Sequence, residues 1–195
     1  MAIQQPITTD GLNSPDHSLS HRVFANDDAA PVQSITVDSN GIASLKLPNM
    51  MQSDLTDQAI ASATAAQLIT FNTDNHHYGI TKTSTSRFTI VTAGSYLICF
   101  SGIAIGVGGK IIEVWLKKNT AYVDNSNTRY QFKSDSAPAV IAVSFIELFA
   151  VGDYFEFWTC GNDTGNKWDY TAAGTNPTRP ATPSIIMTCN YVGTD

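Results

Sequence analysis

The chain has 195 residues and a formal net charge of −6; 43% of it is hydrophobic and only 14% charged, against roughly a quarter charged in a typical soluble domain. This length fits one large domain, or one domain with a tail, and so little charge suits a protein that hides surface in an assembly. The acidic balance excludes a dedicated nucleic-acid binder, which needs a basic stripe to neutralise phosphates, and Lys117-Lys118 is too short to be one.

Residues 1 to about 32 hold no lasting period and are broken by Pro6, Gly11, Pro15 and Pro31, which predicts an extended arm. This stretch is polar and lacks the apolar core of a signal peptide, and no later run is long enough to span a bilayer, so neither export nor membrane insertion is expected. His17 and His21 have helical spacing, but Pro15 and the absence of an acidic or cysteine ligand set argue against a metal pair. Residues 33–47, QSITVDSNGIASLKL, predict a hairpin. A three-residue loop Ser39-Asn40-Gly41, with Gly41 in the left-handed position, pairs Val37 with Ala43 and Ile35 with Leu45. A two-residue Asn40-Gly41 turn would set Val37 opposite Ser44 and spoil that match. An isolated hairpin is marginal in water, so this one is expected to dock on something.

Residues 49–66 are rich in Met, Ala, Ser and Thr and read as a linker or short helix from Ser53, with Leu55, Ala59 and Ala63 on one side, near a shared axis. From residue 67 to the end strand signals recur, near 67–73, 78–82, 87–91, 95–106, 110–118, 128–134, 139–150, 154–160 and 184–192. Many strands with regular turn signals and no helical period predict an all-β sandwich or barrel. The segment 139–160, AVIAVSFIELFAVGDYFEFWTC, reads as a hairpin of two unlike strands. The first is apolar at nearly every position, which means burial on both faces; the second alternates Phe155 and Phe157 with Tyr154, Glu156 and Trp158, which means one wet face. In a sandwich each sheet covers one face of the other. A strand covered twice therefore needs a further partner, most simply another copy of the chain.

The residues Arg87-Phe88-Thr89, then Ala93-Gly94-Ser95-Tyr96, the run FIELFAVGDYFEFWT and a closing strand from Ser184-Ile185 resemble the jelly-roll module shared by tumour necrosis factor and the globular heads of complement and collagen-like proteins. The resemblance spans about the last 130 residues. It implies a two-sheet jelly roll forming a tight threefold trimer, with the first, last, 95–106 and 139–150 strands facing the axis. Tyr96, Ile98 and Phe100 would then point into the sandwich, and Leu97, Cys99 and Ile103 toward neighbouring subunits. There is no collagen repeat, export signal or membrane anchor, which counts against a cytokine or complement role. The segment SPDHSLSHRVFANDDAAPVQSITVDSNG is similar to the N-terminal attachment segment of bacteriophage virion proteins, including fibres and capsid decoration proteins.

Three parts are thus expected: an attachment arm and hairpin over 1–48, a linker over 49–66, and a jelly-roll head over 67–195. Val23, Phe24, Ile35, Val37, Ala43, Leu45 and Leu47 are the candidate capsid-attachment residues. The whole reads as a homotrimeric, non-enzymatic decoration protein on the virion surface, made in the host cytoplasm, with the major capsid protein or another virion protein as partner. The alternative is a fibre head recognising host glycan or protein through Trp168, Asp169 and Tyr170, three residues in a long polar connection with no evident core to need them. Trp158 could also stack on a sugar, or pack at a sheet or subunit surface.

No cofactor, metal or catalytic residue is expected. Gly106-Val-Gly-Gly-Lys110 departs from a phosphate loop, with Ala104 in place of the first Gly and Ile111 in place of Ser or Thr. His76-His77 would point to opposite faces of a strand, and no motif pairs a nucleophile with a base. Cys99, Cys160 and Cys189 show no metal spacing and read as buried thiols, with a Cys99–Cys189 pair left open.

Overall fold

The computed structural model describes the strands Leu19–Arg22, Ser34–Val37 and Ala43–Leu45 and residues 46–194. It divides into two compact units, Met1–Leu47 and Pro48–Asp195. In the first, β1 (Leu19–Arg22), β2 (Ser34–Val37) and β3 (Ala43–Leu45) make an antiparallel sheet in that order. Ile35 pairs with Leu45 and Val37 with Ala43, the register expected from the sequence. Strand β1 falls inside the stretch read as an arm; its sequence, LSHR, has one apolar residue and hence no alternation to detect.

The second unit contains β4 (Asn49–Asp54), β5 (Gln58–Ala59), β6 (Gln67–Leu68), β7 (Thr73–Tyr78), β8 (Ile80–Lys82), β9 (Phe88–Ile90), β10 (Gly94–Ile105), β11 (Ile111–Lys118), β12 (Ala121–Tyr122), β13 (Thr128–Gln131), β14 (Ala139–Phe149), β15 (Tyr154–Gly161), β16 (Lys167–Trp168), β17 (Gly174–Thr175), β18 (Thr178–Arg179) and β19 (Ile185–Gly193). One sheet runs β7-β4-β19-β10-β14, with β16 and then β5 continuing beside β10 past the end of β19. The other runs β12-β11-β15-β9-β8, with β13 also on β11 and β6 on β15. All pairings are antiparallel. Between the sheets, Tyr96, Ile98 and Phe100 of β10 and Met187 and Cys189 of β19 meet Ile112, Val114 and Leu116 of β11 and Phe155 and Phe157 of β15, all essentially inaccessible to water. Aromatic rings tie the layers together, Phe100 to Phe157 at 5.0 Å and Phe149 to Phe155 at 5.8 Å. This is the sandwich expected from the strand pattern and the two-sheet jelly roll that the resemblance implies.

Three expectations are corrected. No helix forms over 49–66: β4 runs between β19 and β7, so the head begins at Pro48 and not at residue 67. The strand was hidden by its polar side chains. Gln52, Ser53 and Asp54 are buried, and hydrogen bonds hold them: Gln52 Nε2 donates to Asp74 (2.6 Å), Ser53 Oγ to Asn75 (2.8 Å), and Asp54 accepts from Thr56 and Asn72. Hydrogen-bonded in this way, with only the Gln52 Oε1 left without a partner among the described residues, polar groups can occupy a strand where apolar ones are expected. The predicted strand at 67–73 is broken: Gln67–Leu68 joins the opposite sheet and Thr73 opens β7.

The segment 139–160 is not a hairpin either. β14 pairs with β10 and β15 with β11, β9 and β6, so the turn at 150–153 carries the chain across the sandwich. Unlike hydrophobic periods belong here to different sheets. Gly152 takes φ +86 at the crossing, and Asp153 clamps it, accepting from the Ala150 N–H (2.9 Å) and the Asn119 amide (2.9 Å). The Asn119 amide, then the Ala150 N–H, with Lys118 adding to both, hold the Asp153 carboxyl below the usual carboxylate range. A depressed folded value means the contribution is full at neutral pH and is lost as pH falls through that value, below about pH 4. Asp153→Ala should cost about 1–3 kcal/mol at pH 7, and urea titrations should show the gap from wild type closing in acid.

Candidate functional site: an uncovered apolar sheet face

Because successive strand residues face opposite ways, the side chains of β10, β14 and β19 that do not enter the core form a second face. The register aligns them in rows across the sheet. Asn190, Leu97 and Ile146 make one row; Met51, Thr188, Cys99 and Ser144 the next; Ser53, Ile186, Ser101 and Ala142 a third; Ile103 and Val140 a fourth. Ser53 is buried beside Asn75; the other members of these rows are exposed or half-exposed. Val140 is 72% exposed, Ile146 69%, Val192 52% and Leu148 47%. Single exposed apolar residues are ordinary, but a contiguous face of them marks an interaction surface. Its middle is a shallow depression of about 410 Å³ lined by small or weakly polar groups, where Ser144 Oγ donates to Cys99 Sγ at 3.4 Å. The face carries no ionised side chain in these rows, so a second protein surface could cover it without desolvating a charge.

Leu97, Cys99 and Ile103 lie half-exposed on this face, while Tyr96, Ile98 and Phe100 point into the core, as the alternation predicts. Val140, Ile146, Leu148 and Met51 were not singled out from the sequence. The nearly continuous apolar run over 139–150 marked their strand, and the register to β10 would have been needed to choose the face. Cys99 and Cys189 lie on neighbouring strands, yet Cys99 pairs with Thr188 and Cys189 with Ile98. Adjacent positions face opposite sides, so one thiol is on the open face and the other in the core, and both are free. Burial pushes the Cys189 thiol up.

The expected receptor loop is corrected. Trp168 is fully buried, edge-on to Phe100 with centroids 5.3 Å apart, and its Nε1 donates to Thr159 Oγ1 at 3.2 Å. A residue in a long polar connection does have a core to fill, because β16 turns back to pair with β10 at Ala104 and Ile105. Gly102 makes the space: a Cβ there would lie 2.6 Å from the indole. Asp169 and Tyr170 remain near the surface. Lys167 Nζ bridges Asp169 (2.7 Å) and Asp57 (2.6 Å), which raises the lysine and, by its hydrogen bond, lowers Asp57. The Tyr170 N–H donates to Asp57 at 2.8 Å.

Of the attachment candidates, Ile35, Val37, Ala43 and Leu45 occupy paired positions of β2 and β3, Leu47 is half-buried, and Val23 and Phe24 lie outside the described residues. His76 and His77 are exposed on the edge strand β7, where His77 Nδ1 meets Asp74 at 2.9 Å. Among the described residues no three His, Cys, Asp or Glu side chains gather as a metal site. Residues 106–110 form the turn between β10 and β11, with Gly109 at φ +78.

No protein-family model and no curated protein matches the chain. Solved structures do. Crystalline murine APRIL at pH 5.0 is similar over 75% of this chain and 100% of its own, with a TM-score of 0.50 and 8% identity. Its pH 8.5 form gives 0.49 and 9% over the same shares. The globular domain of zebrafish complement 1qA protein gives 0.48 and 15%, covering 77% of this chain and 100% of its own. Likeness at 8% identity is likeness of fold alone: the described sandwich shares its jelly-roll fold with murine APRIL.

Proposed function

We propose that this chain is a non-enzymatic, homotrimeric structural protein of a bacteriophage virion, a capsid decoration protein whose heads assemble through the open face of the β7-β4-β19-β10-β14 sheet and whose first 47 residues attach it. The observation that carries this reading is the uncovered apolar face, with Val140 and Ile146 about two-thirds exposed or more in a single subunit. Threefold closure lets every copy bury that face in the same way. The separate compact unit Met1–Leu47, with its own three-stranded sheet, supplies the attachment module. Three such modules on one trimer act together, so modest affinity per module becomes firm attachment through effective concentration. The virion assignment rests on the resemblance of this unit to phage attachment segments, and the role without catalysis on the sequence, which holds no motif that pairs a nucleophile with a base.

A chain limited to residues 48–195 should remain a folded trimer and fail to bind capsids lacking the protein, whereas the full chain should bind and co-sediment with them. Attachment by the shortened chain would remove the role given to the first unit. A fibre head reading through the Trp168 loop loses its main stacking ring, because that indole is in the core.

A further inference from the structure

The opposite sheet carries a feature that neither assembly nor attachment uses. On its outer surface β11 presents Trp115 and Lys117, with Trp158 of β15 on one side and Tyr122 of β12 on the other. Tyr122 is 68% exposed and meets Trp115 edge to face at 6.3 Å. Lys117 Nζ lies over both Tyr122 (4.7 Å) and Trp158 (4.4 Å). Beside these rings a cleft of about 460 Å³ is walled by Glu113, Trp115, Tyr122, Asp124 and Asn127. It shares Ala66, Glu113 and Cys160 with a neighbouring depression of about 270 Å³, and Tyr122, Val123 and Asp124 with another of about 610 Å³. The three form a row, with Tyr122 on the rim between two of them.

From this groove we infer a binding site for a neutral oligosaccharide chain several rings long. A row of adjoining depressions suits a linear polymer better than a compact metabolite. Flat aromatic rings offer rigid apolar area at little entropic cost, matching the C–H faces of a sugar ring. Its hydroxyls need acceptors and donors at the edges, which the Glu113 and Asp124 carboxylates and the Asn127 amide provide. An apolar peptide would leave those groups unmet. The charges are mixed: Glu113, in the wall with Asp124, is flanked by Arg129 at 3.6 Å and Asn127 at 3.2 Å, and Lys117 lies over the Tyr122 ring at the rim. Neither a polyanion nor a polycation is therefore favoured. The indole of Trp115 adds a second, independent sign. Its ring lines the cleft while its Nε1 is buried with no hydrogen-bond partner among the described residues, an unpaid desolvation that a ligand oxygen would relieve once a small shift of the ring opens the nitrogen to it. The groove is on the sheet facing away from the proposed trimer surface, so the site does not depend on that reading.

The test is binding of the full chain to an array of short neutral oligosaccharides, with heparin-derived and polysialic oligomers as charged comparators, followed by calorimetric titration of any neutral binder. Saturable binding of a neutral oligosaccharide is expected, weakened about tenfold or more by Tyr122→Ala and by Trp115→Phe and unchanged by Tyr170→Ala. Tyr122 is exposed enough for its removal to leave the fold intact, which a melting curve checks, and Trp115→Phe keeps a ring while deleting the donor. Binding of charged oligomers only, binding undiminished in both variants, or no binding to any neutral probe would each overturn the inference.

Discussion

Trp168→Ala is expected to destabilise the jelly roll by about 3–5 kcal/mol, the range for truncating a large buried aromatic residue. The indole is fully buried and packed edge-on against Phe100, and it occupies space that Gly102 leaves open in β10. Its loss would leave a cavity between the sheets, and with it the anchor of β16, the short strand that joins β10 to β5. For a domain of this size about 1 kcal/mol moves the melting temperature by roughly 2–4 °C, so a fall of about 10 °C is expected in a calorimetric scan. Tyr170→Ala, two residues on and only half-buried, should move it far less. If Trp168 were instead a surface ring for a receptor, its removal would leave the melting temperature unchanged.

The second large effect is on assembly. Ile146→Lys combined with Val140→Lys should convert the proposed trimer into folded monomers. Both side chains are mostly exposed in the single subunit, so its core does not register the change. In the trimer each new ammonium would be buried without a partner, at a cost of about 3–5 kcal/mol, which weakens association by a hundredfold or more at each contact. Val91→Lys is the control, since Val91 is 52% exposed but belongs to the β9–β10 connection. Sedimentation velocity distinguishes the outcomes: a slower species for the double variant alone, with unchanged circular dichroism.

The sandwich was legible because its long strands, β10, β14, β15 and β19, announce themselves by period. Alternation in residues 154–160 and a nearly continuous apolar run in 139–150 place them in different environments, and the structure places them in different sheets. The inference from double burial reaches further than the single chain, because the second cover of β14 is missing there. Where polar side chains do the packing, period fails. Gln52, Ser53 and Asp54 are buried through hydrogen bonds to the 70–75 segment, which lies far along the chain, and nothing local marks that strand. Trp168 was misread for a related reason: its pocket is made by a glycine in β10, a contact that only the fold brings about. The groove at Trp115 and Tyr122 was equally invisible, since its walls come from β11, β12, the loop after it and Ala66.

The most direct test is the mass of the unaltered full chain in solution, measured by light scattering on the eluting peak. Three chains per particle is the predicted result, with Cys99 on the covered face slow to react with a thiol reagent until the protein is unfolded. A stable mass of one chain at micromolar concentration, with Cys99 freely reactive, would contradict assembly through this face.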